Sequence, residues 1–597
     1  MCGISGIISK NKIEKNIIET MTDKIIHRGP DGFGYYYGQN FVFGHRRLSI
    51  VDLSEAGHQP MQYQDRYIIT FNGEIYNHFE LRIKLEENGY KFQSHTDTEV
   101  IMASYDFWGV ECLKQFNGMW AFVIYDIQED KYFISRDRFG KKPFYYYKDE
   151  DDFIFASEIK VILAHPKIKT KPNYEYLSNN IKNGNKEYIK ETAFESIFRF
   201  DFSSYFEGNL KDLFDGFKEE KFWELKPNLS NEKFDEEKAK EYAKKYYELL
   251  EDSVRIRLRA DVKIGSALSG GLDSSSIVYL VNKLLKEQSE SNLQETFSSV
   301  YVSEETKYCD ESYFINIMSK YLAVNSNTIE PVEDSVREEY FDMISSLENP
   351  PPNSLMSSWH TFKLVKSCGI KVTLDGQGAD EQLAGYLPYL MNYIASLPIK
   401  DVWLQSYKCL KIPNSKKFIL FGLLIRIYKI FFGDNVLIYT IKLLTGKNFI
   451  INLNQKLAHE FQTNLVSLLH YADHTSMHFG VESRMPFMDY RLVEFLATVP
   501  SCYKMRDGWT KYIARLSFDG KLPDEVNWRK DKMGWPIPEQ QWFSGKLKHW
   551  FDFNIENCVI CEKLFFKSNF SNSLKKLNIS IWEKVFFGKN NKNEEEK

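Results

Sequence analysis

The sequence predicts two domains of different class, an N-terminal one of stacked antiparallel sheets and a C-terminal one built on a parallel α/β sheet. Three observations carry this. At 597 residues the chain exceeds one ordinary domain. Its first 160 or so residues hold many short apolar segments with few helical stretches between them, the pattern of antiparallel sheets. From residue 262 a strand, a glycine-rich loop, a helix and another strand follow in turn, which is how parallel sheets are wound.

Composition narrows the function classes. Hydrophobic residues make up 43% and charged residues 27%, the values of a globular protein. The net charge of -5 leaves no basic footprint, so nucleic acid is not an expected partner. The start, Met1-Cys2-Gly3-Ile4-Ser5, has no basic region ahead of a long apolar one, so no secretory signal is expected. Eight cysteines in a chain this long do not make a disulfide framework, and a cytoplasmic location is the natural reading. Cys558 and Cys561 form a lone CxxC with no second pair, and no metal or redox role is assigned to them.

The N-terminal elements follow in order. Cys2 is the first chemical candidate. Removal of Met1 would leave a thiol and a free α-amine on one residue. An α-amine has a pKa near 7.7–8.0, so it can act as the base that activates the thiol. Residues 3–9 read as a strand, and His27-Arg28-Gly29-Pro30-Asp31-Gly32 as a polar turn. Residues 44–52 alternate like a strand with arginine at its head. Residues 67–71 form another strand that ends in Asn72-Gly73-Glu74-Ile75-Tyr76-Asn77. Asp97-Thr98-Glu99 opens a helix through residues 100–107, and residues 132–137 and 144–147 are further strands. Residues 165–234 read as a connector, and residues 235–259 as a long charged amphipathic helix.

The C-terminal half is organised around Ser269-Gly270-Gly271-Leu272-Asp273-Ser274-Ser275, between a strand at residues 262–268 and a helix at residues 276–285. Glycines let backbone approach a phosphate closely, and the free amides of a helix start point at it. There is no P-loop lysine. The bland alternative is a tight turn with capping serines. Residues 296–302 and 371–374 are the next strands, the latter followed by Asp375-Gly376-Gln377-Gly378-Ala379-Asp380-Glu381. Open α/β sheets bind ligands at such strand ends. Asp273 and Asp380 could give oxygen ligands to Mg²⁺ from two of them, unless they are two unrelated turns. Residues 401–450 are expected to pack as a helical hairpin on this domain, with a partner-binding or membrane-surface helix as the other reading. They are too charged to span a bilayer. Residues 590–597 are charged and expected to be disordered.

These motifs carry a resemblance. SGGLDSS resembles the loop of the ATP-pyrophosphatases, which adenylylate a carboxyl or carbonyl oxygen and displace AMP with a nitrogen nucleophile. The N-terminal motifs resemble the class II glutamine amidotransferase domain. Together, in this order, they are similar to the asparagine synthetase B family. The resemblance implies an αββα sandwich of the N-terminal nucleophile type over residues 1–207, connector included. It implies a parallel-sheet adenylylating domain with added helices over residues 208–597.

It also implies roles. Cys2 would attack the glutamine amide, with the Asn72 side chain and the Gly73 N–H as oxyanion hole. Arg47, Leu48, Ser49, Ile50, Val51, Glu74 and Asp97 would complete the glutamine site, Arg47 on the α-carboxylate and the two acids on the α-amine. ATP would lie against Ala267, Leu268, Ser269, Gly270, Gly271, Asp273, Ser274, Val300, Asp375 and Gly376, with Mg²⁺ on Asp273 and Asp380. Lys532, within Trp528-Arg529-Lys530-Asp531-Lys532-Met533-Gly534-Trp535, matches the family's lysine that neutralises the reacting phosphates, with Lys530 as local runner-up. The implied reaction is ATP-dependent amidation of aspartate to asparagine, through an acyl-adenylate and with ammonia from glutamine led along a shielded passage. A homodimer is compatible with the family.

Three departures stand out. Gln377 replaces a glutamate of the family's SGEGSDE, Asp473-His474 replaces Asp-Arg of DRMSM, and residues 401–450 differ from what the family leads one to expect. They leave open an amidotransferase acting on another carboxylate, such as a sugar acid or a peptide. A catalytically inactive binder of glutamine or nucleotide is the third reading.

Overall fold

The computed structural model describes residues 2–184, 187–230, 232–287, 293–445, 449–530, 537–556, 558–564 and 570–588. In chain order the N-terminal strands are β1 (Gly3–Ser9), β2 (Gly32–Tyr37), β3 (Phe41–Arg47), β4 (Met61–Tyr63), β5 (Tyr67–Ile75), β6 (Gly118–Asp126), β7 (Lys131–Arg136), β8 (Tyr145–Lys148), β9 (Asp152–Ala156), β10 (Ile197–Arg199), β11 (Ser204–Gly208) and β12 (Glu220–Lys221). They form two six-stranded antiparallel sheets, ordered β10-β8-β9-β1-β3-β2 and β12-β11-β7-β6-β5-β4.

Strand periodicity explains the layering. On β1, Ile4 and Ile8 share one face and pack with Phe41 and Phe43 onto Ile68, Val123 and Ile134 of the other sheet. Ile7 points the opposite way, onto Ile18, Met21 and Ile25 at helix Lys15–Asp23. The outer face of the second sheet is covered by Leu81, Leu85, Val100 and Ile101, from helices His78–Glu87 and Asp97–Trp108. This is the expected αββα sandwich. Burying each such Ile or Phe stabilises it by about 1.5–3 kcal/mol.

Two readings change here. Residues 44–52 are not one strand, because β3 ends at Arg47 and Asp52 sits at φ 55°. The apolar alternation beyond Arg47 comes from loop packing. Leu48 and Ile50 are buried with Tyr76, Met119 and Ile256 where the two domains meet. The stretch read as a connector supplies β10, β11 and β12, which close the edges of both sheets.

The C-terminal domain holds β13 (Ile264–Ala267), β14 (Glu295–Ser299), β15 (Asn325–Ile329), β16 (Val372–Leu374) and β17 (Glu482–Arg484). Their order is β15-β14-β13-β16-β17, and every pairing is parallel. The direction of winding reverses between β13 and β16, which creates a crevice at their C-terminal ends. Helix Leu272–Glu287 follows β13 and buries Ile277, Val278, Leu280 and Val281. Helix Glu236–Arg257 is capped by the Asp235 side chain and packs on the same core.

Within residues 401–450, the described residues up to 445 fold as two helices against Tyr389–Ser396. Val402 and Cys409 of helix Ile399–Cys409 and Ile419 of helix Lys416–Thr445 enter a shared apolar cluster. The second helix breaks at Gly433, with φ 78° and ψ 166°. Among the described residues no helix is long and apolar enough to cross a membrane. Residues 590–597 lie outside the described residues.

Buried charge joins the domains. Asp473 accepts from Arg28 at 2.8 Å and pairs with Lys142 at 3.0 Å, all three side chains fully buried. Burial opposes ionisation of Asp473, but Arg28 and Lys142 outweigh it and hold its carboxyl well below the usual range. Next to it His474 is buried, its Nδ1 2.7 Å from the Ser346 carbonyl. Burial holds its ring far below the usual histidine range, so it is a neutral imidazole where the family has a cation.

Candidate active sites

The first site is a cavity at the edge of the sandwich. It is lined by Cys2, Arg47, Leu48, Ile50, Val51, Gly73, Glu74 and Asp97, together with Gly57, Gln59, Phe71, Thr96, Thr98 and Glu482. β1 delivers Cys2 and β5 delivers Asn72, Gly73 and Glu74. β5 runs past residue 71 to Ile75, so these three lie within a strand paired to β6. A Cβ on Gly73 would meet the Met119 carbonyl and the Trp120 Cα, so this position must be glycine. The Cys2 backbone N–H donates to Asn72 Oδ1 at 3.3 Å. Ser49 departs from its neighbours. Its N–H donates to Asp31 at 2.8 Å, and it does not line the cavity.

The cavity is charged in two halves. Arg47 is aimed by backbone, its guanidinium donating to the carbonyls of Asp52 and of Ser54. A Cβ on Gly57 would run into that guanidinium. On the other side stand three carboxylates, Glu74, Asp97 and Glu482. Asp97 accepts the Ile75 N–H at 2.8 Å, and burial pushes it up to about 6. Burial, with Asp97 and Glu482 nearby, also pushes Glu74 well up against the pull of Arg484. Glu74 Oε1 is buried without a hydrogen-bond partner among the described residues. Burial alone would raise Glu482, but Arg484 holds it down at about 2. The Cys2 thiol is raised by burial, so it rests as the neutral thiol and needs a base. The arrangement is complementary in charge to a zwitterion, positive at Arg47 and acidic at Glu74, Asp97 and Glu482, beside the Cys2 thiol.

The second site is a cavity at the β13/β16 crevice. Ala267, Leu268, Ser269, Gly271, Asp273, Ser274, Asp375 and Gly376 line it, with Gln377, Gly378, Asp380 and Glu381. Ser274 Oγ accepts the Ser269 N–H at 3.1 Å and closes the loop on itself. Gly270 holds φ 71°, where a Cβ would meet Phe314. Gly270 shapes the loop without lining the cavity. Val300 does not line it either. Its N–H pairs with the Ile329 carbonyl and its side chain is buried, while Ser298, Ser299 and Tyr301 take that wall.

Asp273 and Asp380 converge on one group, the ammonium of Lys511, at 2.5 and 2.6 Å. Lys511 is buried and sits at φ 56°. A Cβ on Gly385 would strike both Asp380 and Lys511. Among the described residues no cluster of three or more His, Cys, Asp or Glu could hold a metal. Lys532 lies outside the described residues. Lys530 places its ammonium 4.0 Å from the centre of the Trp509 ring. Gln377 Oε1 is buried without a hydrogen-bond partner among the described residues. Burial pushes Glu381 up to about 7, with Tyr386 donating to it at 2.8 Å.

Sequence reasoning missed Gly57, Glu482, Arg484, Gly385 and Lys511. Local spacing gives Glu482, Arg484 and Lys511 no role. Across the sites, Arg484 meets Glu74 from 410 residues away and Lys511 meets Asp380 from 131 residues away, so only the fold brings them together.

The two domains and their sites define a class, a carbon–nitrogen ligase that takes its amido nitrogen from glutamine. More particularly, the chain belongs to the asparagine synthase family. The family model for a glutamine amidotransferase domain matches residues 1–223, and that for asparagine synthase matches residues 245–568. An asparagine synthetase (glutamine-hydrolyzing) 3 of Bacillus subtilis is 31% identical over 92% of this chain and 89% of its own length. Asparagine synthetase B (glutamine-hydrolyzing) of Escherichia coli is 28% identical over 92% and 84%. The amidase chry2 of Gibberella zeae is 27% identical over 92% and 90%.

Proposed function

We propose that the protein amidates aspartate to asparagine at the expense of ATP, with ammonia drawn from glutamine. The observation that carries the reading is the pairing of a zwitterion-binding cysteine pocket in one domain with an anion cradle at the switch point of the other. The names of the bacterial relatives support aspartate as acceptor.

In the first half-reaction, Met1 is removed and the freed α-amine takes the proton of the buried Cys2 thiol. The sulfur attacks the glutamine side-chain carbonyl. The Gly73 N–H and the Asn72 side-chain amide receive the developing oxyanion. Arg47 holds the α-carboxylate, and Glu74, Asp97 and Glu482 hold the α-ammonium. Collapse of the intermediate releases ammonia, and water then hydrolyses the thioester to glutamate.

In the second half-reaction the amides and hydroxyls of residues 269–274 cradle the phosphates. The carboxylate acceptor attacks the α-phosphorus, pyrophosphate leaves, and ammonia displaces AMP from the acyl-adenylate. Lys511 and Lys532 supply positive charge to the phosphates. Asp273 and Asp380 would be the oxygen ligands of Mg²⁺ once the Lys511 ammonium that bridges them had moved to the phosphates. When bound, the metal would neutralise phosphate charge.

One observation favours a second acceptor. Gln377 brings to the cavity an uncharged amide oxygen with no hydrogen-bond partner among the described residues, where the family has a carboxylate, and one similar protein is named an amidase. A different carboxylate would then be amidated by the same machinery.

Product analysis tests both readings. Purified protein with MgATP and glutamine should form asparagine, AMP and pyrophosphate only when aspartate is added. Cys2→Ala should abolish synthesis from glutamine and keep synthesis from ammonium. Glutamate release without asparagine would overturn aspartate as acceptor and keep the amidotransferase half.

A further inference from the structure

We propose that residues 399–434 form a docking surface for an anionic lipid bilayer, on which the protein rests peripherally. Helix Ile399–Cys409 buries one face through Val402, Gln405, Ser406 and Cys409. It turns a second apolar stripe to solvent, with Ile399, Trp403 and Tyr407 at 74%, 78% and 69% exposure. Four-residue spacing puts all three on one side. Helix Lys416–Thr445 repeats the design. Ile419 and Ile425 face inward, while Leu420, Leu424, Ile427 and Phe431 stand exposed on one side. Two apolar stripes, rich in aromatics, are left outside the protein's own core. A patch of this kind marks an interaction surface.

Charge identifies the partner. Residues 399–434 carry seven Lys and Arg against two Asp, in a chain of net charge -5. Lys400, Lys411, Lys416 and Lys417 make no ion pair among the described residues. The turn joining the helices forms a hollow lined by Lys411, Lys416 and Lys417. Basic side chains flanking an apolar, aromatic helix face suit the boundary between anionic headgroups and acyl chains. A second copy suits it less, because a two-fold contact would set these cations against themselves. The helices are not spanning segments, so the contact is shallow.

The buried side of the same element reaches the synthetase site. Gln405 and Lys408 bind Asp507 at 2.9 and 2.7 Å. Asp507 lies in the hairpin that leads to Lys511. Docking would thus orient the mouth of the second site relative to the bilayer.

The test uses the full-length protein and co-sedimentation with vesicles of phosphatidylcholine alone or mixed with phosphatidylglycerol. Binding should favour the anionic vesicles and weaken with added salt, since exposed charges are screened. Trp403→Glu with Phe431→Glu should weaken it at least about tenfold. Lys416→Glu with Lys417→Glu should weaken it by roughly fivefold or more per lysine. Both variants should keep glutamine hydrolysis and thermal unfolding unchanged, which separates lost docking from lost folding. No preference for anionic vesicles, or binding that survives both variants, would overturn the proposal. Self-association dissolved by Trp403→Glu would assign the face to a second copy instead and overturn it equally. Stronger competition by inorganic phosphate than by chloride at equal ionic strength would assign the lysine hollow to a free anion, and would also overturn it.

Discussion

Asp97 sits at the first turn of its helix, where the helix dipole and the Ile75 N–H favour its carboxylate, yet burial wins and lifts it to about 6. Only the ionised form attracts an α-ammonium. We therefore expect kcat/KM for glutamine to fall as pH drops through about 6, with ammonia-dependent synthesis unaffected by this group. A pH profile flat from 5 to 7 for glutamine hydrolysis would remove Asp97 from the site. Gly57 gives a second test at this scale. A methyl there would push the Arg47 guanidinium off its two carbonyl anchors. Gly57→Ala should raise KM for glutamine by roughly tenfold or more, about 1.4 kcal/mol of lost binding. The rate with ammonium should stay the same, which steady-state kinetics with each nitrogen donor would check.

Elements show what the sequence could and could not reveal. β1, helix Asp97–Trp108, helix Glu236–Arg257 and the loop after β13 were legible, because apolar period, a cap or a glycine run marks each of them. β15 and β17 were not. β15 reads Asn-Ser-Asn-Thr-Ile on a half-exposed edge, and β17 reads Glu-Ser-Arg with every residue buried. No hydrophobic pattern can announce a strand whose burial is satisfied by ion pairs. β17 also shows why part of the first site was hidden. Arg484 binds Glu482 on its own strand, Glu74 at 3.1 Å in the other domain, and the carbonyls of Arg257 and Arg259. It is the shared counter-charge of an acidic pocket. Arg484→Met should raise the Glu74 pKa further and lower kcat/KM for glutamine by roughly ten- to a hundredfold, about 1.4–2.8 kcal/mol. The acid limb of the pH profile should move to higher pH. A pure stability defect would leave that limb where it was.

At the scale of the whole molecule, the two sites depend on a domain interface held by buried charge. Asp473 is its centre. It pairs with Lys142 at 3.0 Å, and it shares Arg28 with Glu158, while Arg28 also donates to the Cys2 carbonyl at 3.1 Å. Such a network adds little over an apolar contact of equal shape, but losing one partner strands the others. Asp473→Asn keeps the shape, takes the paired carboxylate from the buried Lys142 and leaves Arg28 with Glu158 alone. It should cost about 3–5 kcal/mol, seen as a lower urea midpoint. The native carboxyl lies well below its unfolded value of about 3.9, so its contribution is full above that pH and is lost as pH falls below it. The variant's deficit should accordingly be greatest near neutral pH and shrink in acid. Because Arg28 touches Cys2 on one side and Asp473 on the other, glutamine hydrolysis should weaken before the synthetase domain unfolds. Equal loss of both half-reactions at every urea concentration would mean that the interface carries stability alone and does not position Cys2.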